Sequence, residues 1–320
     1  MKILITGGAG YIGSKLVGFL LNTNLARYLD TQNSLYDVTV YDNLMYNQTS
    51  LLSYAGHPRF RFVKGDIRDH AKLSKEISKA DKVVHLAAWV GAPICDRDHE
   101  GATDVNYNST RKLVASLSTN QEIIFPMSNS GYGIGGEDFC TEESPLRPLS
   151  VYGKTKVSAE ECVLNHAGST TLRLATVFGA SPRPRLDLLV NDFTWKAWKE
   201  KCLVLFESHF RRNYIHIGDV CRTIEWFLKR DGKGEVYNVG LSDANLTKKE
   251  LALAIQKVIP DLTIIESEIG SDPDKRDYIV SNEKLENTGW VPQHTIEDGI
   301  KELIEMFPQI DTVNYGLRNS

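Results

Sequence analysis

A glycine-rich turn near the N-terminus is the first segment whose residue types and spacing indicate a chemistry. Residues 3–13 read ILITGGAGYIG, so a short apolar run leads into a G-x-x-G-x-x-G pattern and then into a helical stretch. Glycines let the backbone turn tightly and approach a diphosphate, and the next helix offers unpaired N–H groups and a positive dipole end. This order of strand, turn and helix favours a dinucleotide site over a turn without a ligand. The predicted contacts are Gly7, Gly10, Tyr11, Ile12 and Gly13.

Two carboxylates that follow later strands extend this site. Asp42, with Asn43 after it, ends the second apolar run. A carboxylate there accepts hydrogen bonds from ribose hydroxyls and repels a 2′-phosphate, which favours NAD over NADP. The distance from the glycine turn to Asp42 exceeds the usual spacing and indicates an insertion within residues 22–37. Asp66, with Ile67 after it, could reach the adenine amino group or could instead cap the next helix.

A tyrosine and a lysine four residues apart form the second chemical set. Tyr152 and Lys156 share one face of a predicted helix, because residues i and i+4 do so. The same spacing recurs at Tyr11 and Lys15, which overlap the glycine turn, so spacing alone is weak support. Ser128 strengthens the case for Tyr152, since it follows an apolar run and is expected at the carboxyl end of a parallel strand, where ligands bind.

The elements that must position these residues are short β-branched runs alternating with helical stretches. This alternation predicts an α/β fold with a Rossmann-type, doubly wound parallel sheet. After residue 178, a proline- and arginine-rich loop at 181–185 begins a smaller, interleaved C-terminal substrate-binding domain. We expect an NAD-binding domain over 1–177, with returning segments near 214–240, and a substrate region over 178–320. Predicted strands are 3–5, 38–41, 60–63, 83–86, 123–125 and 171–174, and predicted helices are 14–21, 71–78, 106–117, 152–165, 188–199, 248–258 and 296–307.

The composition argues against several classes of function. The 320 residues include 37 Lys and Arg against 41 Asp and Glu, a net charge of −4, so nucleic-acid binding through a basic surface is not expected. Five scattered cysteines without a C-x-x-C pair predict neither a disulfide framework nor a zinc site, and we expect no metal. The N-terminus has the pattern of neither a signal peptide nor a membrane span, so we expect a cytoplasmic protein without membrane contact.

One ordered set of motifs runs through nearly the whole chain. It resembles the extended short-chain dehydrogenase/reductase family of NAD-dependent epimerases and dehydratases that act on nucleotide sugars. The resemblance implies the fold of that family and NAD as the cofactor, with Leu86, Ala87 and Ala88 beside it. The motifs are the glycine turn, the HLAA stretch at 85–88, Ser128, Tyr152 with Lys156, and Arg173 with Leu174.

The resemblance also implies a mechanism. In the family the tyrosine, as a phenolate, removes a sugar hydroxyl proton while a hydride passes to the nicotinamide. A phenol with a pKa of about 10 is a poor base near neutrality. The Lys156 ammonium and the cationic nicotinamide would stabilise the Tyr152 phenolate, and Ser128 would orient the same hydroxyl group.

Further residues are implied to bind the substrate. Asn191 and Arg212 match family contacts to the substrate diphosphate, and Arg276 matches a second arginine near the nucleotide, where a planar guanidinium suits phosphate oxygens. Asn129 and Ser130 directly follow the catalytic serine, where the 4,6-dehydratases carry an Asp–Glu pair that eliminates water. Neither an amide nor a hydroxyl is an acid or base near neutrality, so these two are interpreted as substrate contacts and weaken the dehydratase hypothesis.

A smaller group within the family, the GDP-heptose 4-dehydrogenases, gives a closer resemblance. It implies NAD-dependent oxidation at C4 of a GDP-linked sugar, giving a 4-keto product for capsule or other surface-glycan synthesis. The alternatives are a 4-epimerase, which uses the same residues, a 4,6-dehydratase in which Glu142 or Glu143 replaces the missing pair, and a non-catalytic NAD-binding protein. The resembling stretches are 129–135, 173–179, 185–193 and 272–278.

The resemblance further implies a homodimer. Two helices per subunit, at 106–117 and 152–165, would form the interface. Their apolar residues could equally face the sheet as core, so the sequence leaves both interpretations open. These residues are Leu113, Val114, Leu117 and Val157.

Overall fold

The computed structural model describes residues 1–21, 36–136, 138–269 and 276–310. Most of the predicted insertion within 22–37, and most of the resembling stretch 272–278, lie outside these residues. Within the described ranges, no helix has both the length and the apolarity needed to cross a bilayer.

Seven parallel strands form a central sheet whose order is that of the predicted doubly wound fold. The strands of the described residues are β1 (Lys2–Thr6), β2 (Asp37–Asp42), β3 (Phe60–Lys64), β4 (Lys82–His85), β5 (Glu122–Ser128), β6 (Ser169–Leu174), β7 (Thr176–Phe178), β8 (Cys202–Phe206), β9 (Arg211–His216), β10 (Glu235–Val239), β11 (Asn245–Thr247) and β12 (Thr263–Ser267). The central sheet has the order β10-β6-β5-β4-β1-β2-β3. Its register pairs Ile5 of β1 with Val40 of β2 on one side and with Val84 of β4 on the other. Strand order therefore reverses between β1 and β4.

Helices cover both faces of this sheet, and several of them begin at a side-chain cap. The Ser150 side chain accepts a hydrogen bond from the Gly153 N–H and starts the helix that carries Tyr152. A capping box between Thr247 and Glu250 starts another helix. The helices are α1 (Tyr11–Leu21), α2 (His70–Ile77), α3 (Ala92–Arg97), α4 (His99–Thr103), α5 (Ser109–Val114), α6 (Val151–Leu164), α7 (Leu189–Glu200), α8 (Ile217–Leu228), α9 (Lys248–Val258), α10 (Glu283–Glu286) and α11 (Ile296–Ile310), with a π-helical turn at Asp104–Asn108 and 3-10 turns at Leu52–Tyr54 and Asn129–Tyr132.

The core lies in two layers, one on each face of the sheet. Successive side chains of a strand point to opposite faces. In β1, Ile3 and Ile5 accordingly pack with α1 and α8, whereas Leu4 packs with α2, α5 and α6. Near-continuous apolar strands are therefore buried on both sides, as the sequence predicted for a parallel sheet.

After residue 178 the chain builds two small sheets beside the central one. β7, β9 and β11 form one, and β8 pairs with β12 in the other. Of the segments near 214–240 that we expected to return to the central sheet, β10 pairs with β6, whereas β9 pairs with β7. The expectation therefore does not hold for β9. The pairing of β6 with β10 ends where the Ala175 N–H donates to the Val239 carbonyl. The chain leaves the central sheet after this bond, and its next strand, β7, pairs with β9. The division of the chain into two domains at residue 178 stays a prediction.

Candidate active site

A cleft of about 1120 Å³ opens beyond the carboxyl ends of β1 and β4, where the strand order reverses. Ligands of doubly wound sheets bind at this switch point, because the connections leave the two strands in opposite directions. Every cofactor contact predicted from the sequence lines this cleft. These residues are Gly7, Gly10, Tyr11, Ile12, Gly13, Asp42, Asn43, Asp66, Ile67, Leu86, Ala87, Ala88, Tyr152 and Lys156.

The glycine turn has the geometry of a phosphate cradle. Gly7 has a φ of +69°, and a Cβ at this position would lie 2.6 Å from the Ala87 backbone nitrogen. A Cβ at Gly13 would lie 2.5 Å from the Gly7 carbonyl oxygen. Side chains are therefore excluded where the turn packs against β4 and α1, and the backbone can approach a diphosphate closely. This close packing fits the diphosphate of a dinucleotide.

The Tyr11–Lys15 pair serves the structure rather than a second reaction. The Tyr11 hydroxyl donates to the Gly179 carbonyl at 2.8 Å, and burial raises the pKa of this phenol. The Lys15 ammonium forms a 3.0 Å ion pair with Glu302 of α11. Both contacts tie the first turn of α1 to the C-terminal part of the chain.

The two predicted carboxylates have different surroundings. Asp42 is buried and accepts hydrogen bonds from the Ala9 N–H at 3.0 Å and the Leu44 N–H at 2.8 Å, although burial raises its pKa. Two side-chain hydrogen bonds from Arg68 hold the pKa of Asp66 at about 2. The cap of α2 is Asp69 rather than Asp66, so the capping alternative for Asp66 is wrong.

Two of the three predicted catalytic side chains line the cleft, and the third, Ser128, lies near Tyr152. Tyr152 and Lys156 lie one turn apart on α6 and both line the cleft. The Lys156 ammonium lies 3.8 Å from the centroid of the Phe125 ring. Ser128 ends β5, accepts a hydrogen bond from the Ser130 N–H and lies near enough to Tyr152 to lower the pKa of that phenol.

Burial shifts the pKa values of Tyr152 and Lys156 in the directions that favour their neutral forms. Burial raises the pKa of Tyr152 to about 12, whereas Arg185, Arg276 and Ser128 each lower it. Burial lowers the pKa of Lys156 to about 7, against a raising contribution from Glu160. We expected Lys156 to be the protein's main support for the phenolate. The cation that lowers the pKa of Tyr152 most is instead Arg185.

Two arginines that the sequence analysis did not assign to the site also line the cleft. Arg185 holds Asp187 through two hydrogen bonds, of which Nε to Oδ1 measures 3.0 Å. The Arg183 guanidinium carbon lies 4.6 Å from the centroid of the Tyr46 ring. Two arginines flanking a proline in a loop after a parallel strand were a usable signal, since such loops form the ligand side of the sheet.

Asn191 holds this arginine loop rather than facing the cleft. Its side-chain oxygen accepts from the Gly179 N–H at 3.1 Å, and its amide donates to the Arg185 carbonyl at 2.9 Å. The side chain is fully buried. This geometry replaces the predicted substrate contact with a positioning role, because both ends of the amide are already hydrogen-bonded.

The two predicted substrate arginines lie in different environments. Arg212 is buried, donates to the Arg211 carbonyl and packs 5.6 Å from the centroid of the Tyr278 ring, outside the lining of the cleft. Arg276 is half-buried and close enough to Tyr152 to lower the pKa of that phenol. Neither arginine lines the cleft, and of the two only Arg276 acts on the pKa of Tyr152.

Asn129 and Ser130 carry buried polar atoms next to Ser128. Both side-chain atoms of Asn129, which is 1% exposed, lack a hydrogen-bond partner, and so does the Ser130 hydroxyl. Leaving a buried polar group unsatisfied costs about 1–3 kcal/mol. Neither residue lines the cleft, and their role as substrate contacts stays a prediction.

One cluster of potential metal ligands lies apart from the cleft lining and is already hydrogen-bonded. His216, Asp219 and His294 bring their donor atoms within 4.8 Å of one another. The Nε2 of His216 contacts Glu302 at 2.7 Å, and its Nδ1 accepts from the Gly218 N–H. Asp219 accepts from the backbone N–H of His294. The cluster joins α8 to α11, and both ring nitrogens of His216 are occupied.

Replacing Arg185 with glutamine should move the pH dependence of turnover. Loss of this cation raises the pKa of Tyr152, so at a given pH less phenolate is present. The rising limb of kcat/KM against pH should therefore shift upward by about one unit or more. Arg185→Lys retains a charge and should shift less. Superimposable profiles for wild type and Arg185→Gln would contradict this role.

A family model described as the NAD dependent epimerase/dehydratase family matches residues 3–240. Among curated proteins, the low-salt glycan biosynthesis protein Agl12 of Haloferax volcanii is 30% identical over 322 residues, which cover 96% of this chain and 98% of that protein. A dTDP-glucose 4,6-dehydratase of Streptomyces niveus is 28% identical over 96% of this chain and 93% of its own.

Solved structures agree in fold over nearly the whole length. The dTDP-glucose 4,6-dehydratase of Bacillus anthracis, solved in complex with NAD, has a TM-score of 0.80 at 26% identity and covers 97% of each chain. The UDP-glucose 4-epimerase of Thermotoga maritima, solved with UDP-glucose, has a TM-score of 0.83 at 26% identity, covering 97% of this chain and 99% of that one. These two enzymes carry out different reactions on nucleotide sugars. The first is a dehydratase and the second an epimerase.

Proposed function

Because the chain belongs to the NAD-dependent epimerase/dehydratase family, we propose that it oxidises C4 of a nucleotide-activated sugar with NAD. The observation that carries the proposal is the convergence of Tyr152 and Lys156 on the cleft that also contains the glycine turn. A non-catalytic NAD-binding protein would not need this tyrosine and lysine beside the cofactor cleft. The NAD complexes of relatives support the choice of cofactor.

The chain's own residues supply the proton chemistry of this oxidation. NAD, when bound, accepts the C4 hydrogen as a hydride. Tyr152 as phenolate takes the proton of the C4 hydroxyl, and the electron pair of the broken O–H bond forms the C4=O bond. Ser128 orients the same hydroxyl, while the positive charges of Lys156 and Arg185 stabilise the phenolate. Tyr152 then returns its proton to solvent before the next turnover.

The residues after Ser128 favour oxidation without loss of water. Elimination requires a general acid and a general base beside the sugar, and Asn129 and Ser130 supply neither. Glu142 does not replace them, because its carboxylate accepts a 2.7 Å hydrogen bond from the Asn238 N–H of β10. Glu143 is exposed.

Installing the missing acids should open the elimination route. In Asn129→Asp combined with Ser130→Glu, we expect a 4-keto-6-deoxy product at about tenfold or more above wild type, since positioned acid–base groups contribute about 10²–10⁴-fold. Mass spectrometry of the product detects the loss of water. Asn129→Leu with Ser130→Ala is the matched control and should not eliminate. Equal water loss by wild type and the acidic variant would contradict the assignment.

For the substrate itself, we propose a GDP-linked heptose, oxidised for surface-glycan synthesis in the cytoplasm. The support is the resemblance at 129–135, 173–179 and 185–193 to GDP-heptose 4-dehydrogenases. The dehydratases and the epimerase named above act on dTDP- and UDP-linked sugars. Nucleotides that copurify with the protein, released by denaturation and identified by mass, test the proposal. A GDP-linked species is expected, and a UDP- or dTDP-linked one contradicts the choice of nucleotide.

A 4-epimerase is the second candidate, favoured by the structural similarity to UDP-glucose 4-epimerase. Epimerisation uses the same tyrosine, lysine and serine, but the hydride returns to the opposite face of the keto sugar. A new diastereomer without net NADH would identify this reaction.

We also propose a homodimer through α5 and α6. Leu113 is buried in the core of the monomer, whereas three other apolar residues, two on these helices and one just after α5, are only partly buried. Those three could contribute to an interface. They are Val114, Leu117 and Val157.

A further inference from the structure

Side chains from two distant helices converge on the two residues that lead from β7 into the arginine loop at 181–187. The Tyr11 hydroxyl of α1 donates to the carbonyl of the first residue, Gly179, at 2.8 Å. The Glu302 carboxylate of α11 accepts from the N–H of the second residue, Ala180, at 3.0 Å. The point at which the loop leaves the small sheet is therefore fixed both to the glycine turn and to the C-terminal helix.

Glu302 is itself held in place by two further contacts. Its Oε2 lies 2.7 Å from the His216 Nε2, and its Oε1 forms a 3.0 Å ion pair with Lys15. The His216 Nδ1 accepts from the Gly218 N–H, so the Nε2 of this imidazole is the donor to the carboxylate. Although burial raises the pKa of Glu302, His216, Lys15 and the Ala180 N–H together hold it at about 2. The carboxylate therefore stays charged at any pH used for assay.

Asn191 connects the start of the loop to Arg185. Its side-chain oxygen accepts from the Gly179 N–H at 3.1 Å, and its amide donates to the Arg185 carbonyl at 2.9 Å. One side chain thus holds both ends of this part of the loop. Arg185 lines the cleft and is the cation that lowers the pKa of Tyr152 most. Groups that also act on this pKa are Cys95, Arg276 and Ser128.

We propose that Glu302 is a positioning residue, which by holding Ala180 keeps the arginine loop where Arg185 can stabilise the Tyr152 phenolate. This inference rests on the proposed function, because the phenolate matters only if Tyr152 is the base. Glu302 lies beyond residues 3–240, which the family model matches, so its contribution comes from outside the family's motifs.

A direct effect of the Glu302 charge and a positioning effect predict shifts of opposite sign. A nearby carboxylate raises the pKa of a phenol, so removing a charge that acts directly would move the rising limb of kcat/KM against pH downward. Loss of a positioning residue lets Arg185 move away, which raises the pKa of Tyr152 and moves the limb upward. In Glu302→Ala we expect an upward shift of about half a pH unit or more.

Three further measurements separate positioning from a general loss of structure. Glu302→Gln keeps an oxygen that can accept from Ala180, so it should shift the limb upward by less, and it gives the same test of sign if Glu302→Ala does not fold. In an Arg185→Gln background, Glu302→Ala should add no further shift, because the cation to be positioned is absent. Hydrogen exchange does not depend on turnover, and amides of 179–187 should exchange about tenfold faster in Glu302→Ala, in line with loss of a hydrogen bond to a charged group.

Glu305 provides the matched control. It lies on the same helix, is exposed and does not line the cleft. Glu305→Ala removes an equal charge and should leave the pH profile and the exchange rates unchanged. An unchanged or downward-shifted limb in Glu302→Ala, unchanged exchange at 179–187, or an equal shift in the Arg185→Gln background would overturn the positioning role while leaving the proposed oxidation intact. A wild-type protein that oxidises no nucleotide sugar would overturn both.

Discussion

Tyr152→Phe should lower turnover of the accepted nucleotide sugar by about 10²–10⁴-fold, the contribution typical of a positioned general base. The phenyl ring fills the same space but cannot take the proton of the C4 hydroxyl. NAD should still bind, because the glycine turn and Asp42 are unchanged. Steady-state turnover and calorimetric NAD titration on the same preparation separate the two effects.

A second buried tyrosine provides the control for this substitution. Tyr237 lies on β10, outside the cleft lining, and its hydroxyl bonds Glu235. Tyr237→Phe removes a buried phenol hydroxyl in the same way and should leave turnover near the wild-type rate. Undiminished turnover in Tyr152→Phe would remove Tyr152 from the mechanism.

Glu160→Gln should destabilise the protein by about 3–5 kcal/mol, because it leaves Arg173 charged and buried without its partner. Glu160 of α6 is 1% exposed and Arg173 of β6 is 6% exposed. The Arg173 Nε lies 3.1 and 3.2 Å from the two carboxylate oxygens, and Nη2 makes a third bond at 2.9 Å. The pair fixes the helix that carries Tyr152 and Lys156 to the sheet, so its loss acts on both stability and geometry.

Urea unfolding measures this effect against a neighbouring substitution. Glu161 follows on the same helix but is exposed, so Glu161→Gln should change the free energy of unfolding by less than about 0.5 kcal/mol. Glu160→Gln also removes a charge that raises the pKa of Lys156, so the pKa of Lys156 should fall further. Equal unfolding midpoints for the two variants would show that the buried ion pair does not stabilise the fold.

The parts of the site formed by local sequence could be predicted. Gly7 and Gly13 sit in one strand–turn–helix unit, where the required backbone conformation restricts the residue type. Tyr152 and Lys156 share a face through helix periodicity alone, and Asp42 ends its strand. Each of these positions follows from the nearest dozen residues.

Side-chain direction across distant segments could not be predicted. Asn191 and Arg183 are both polar residues in the same region, yet the first is hydrogen-bonded within the loop and the second lines the cleft. The pairing of β9 with β7 likewise depends on long-range packing, since a short apolar strand fits either sheet. Burial, which raises the pKa of Tyr152, is also a tertiary property that the sequence does not state.

The most direct test of C4 oxidation is incubation of the purified protein with NAD and nucleotide sugars deuterated at C4. A panel of GDP-, UDP- and dTDP-linked sugars should include one that is oxidised. For that sugar we predict a ketone that has lost two hydrogens from its substrate, an equal amount of reduced cofactor, and the C4 deuterium on the nicotinamide. A product that has lost water, or a diastereomer of unchanged mass formed without reduced cofactor, would contradict the proposed oxidation.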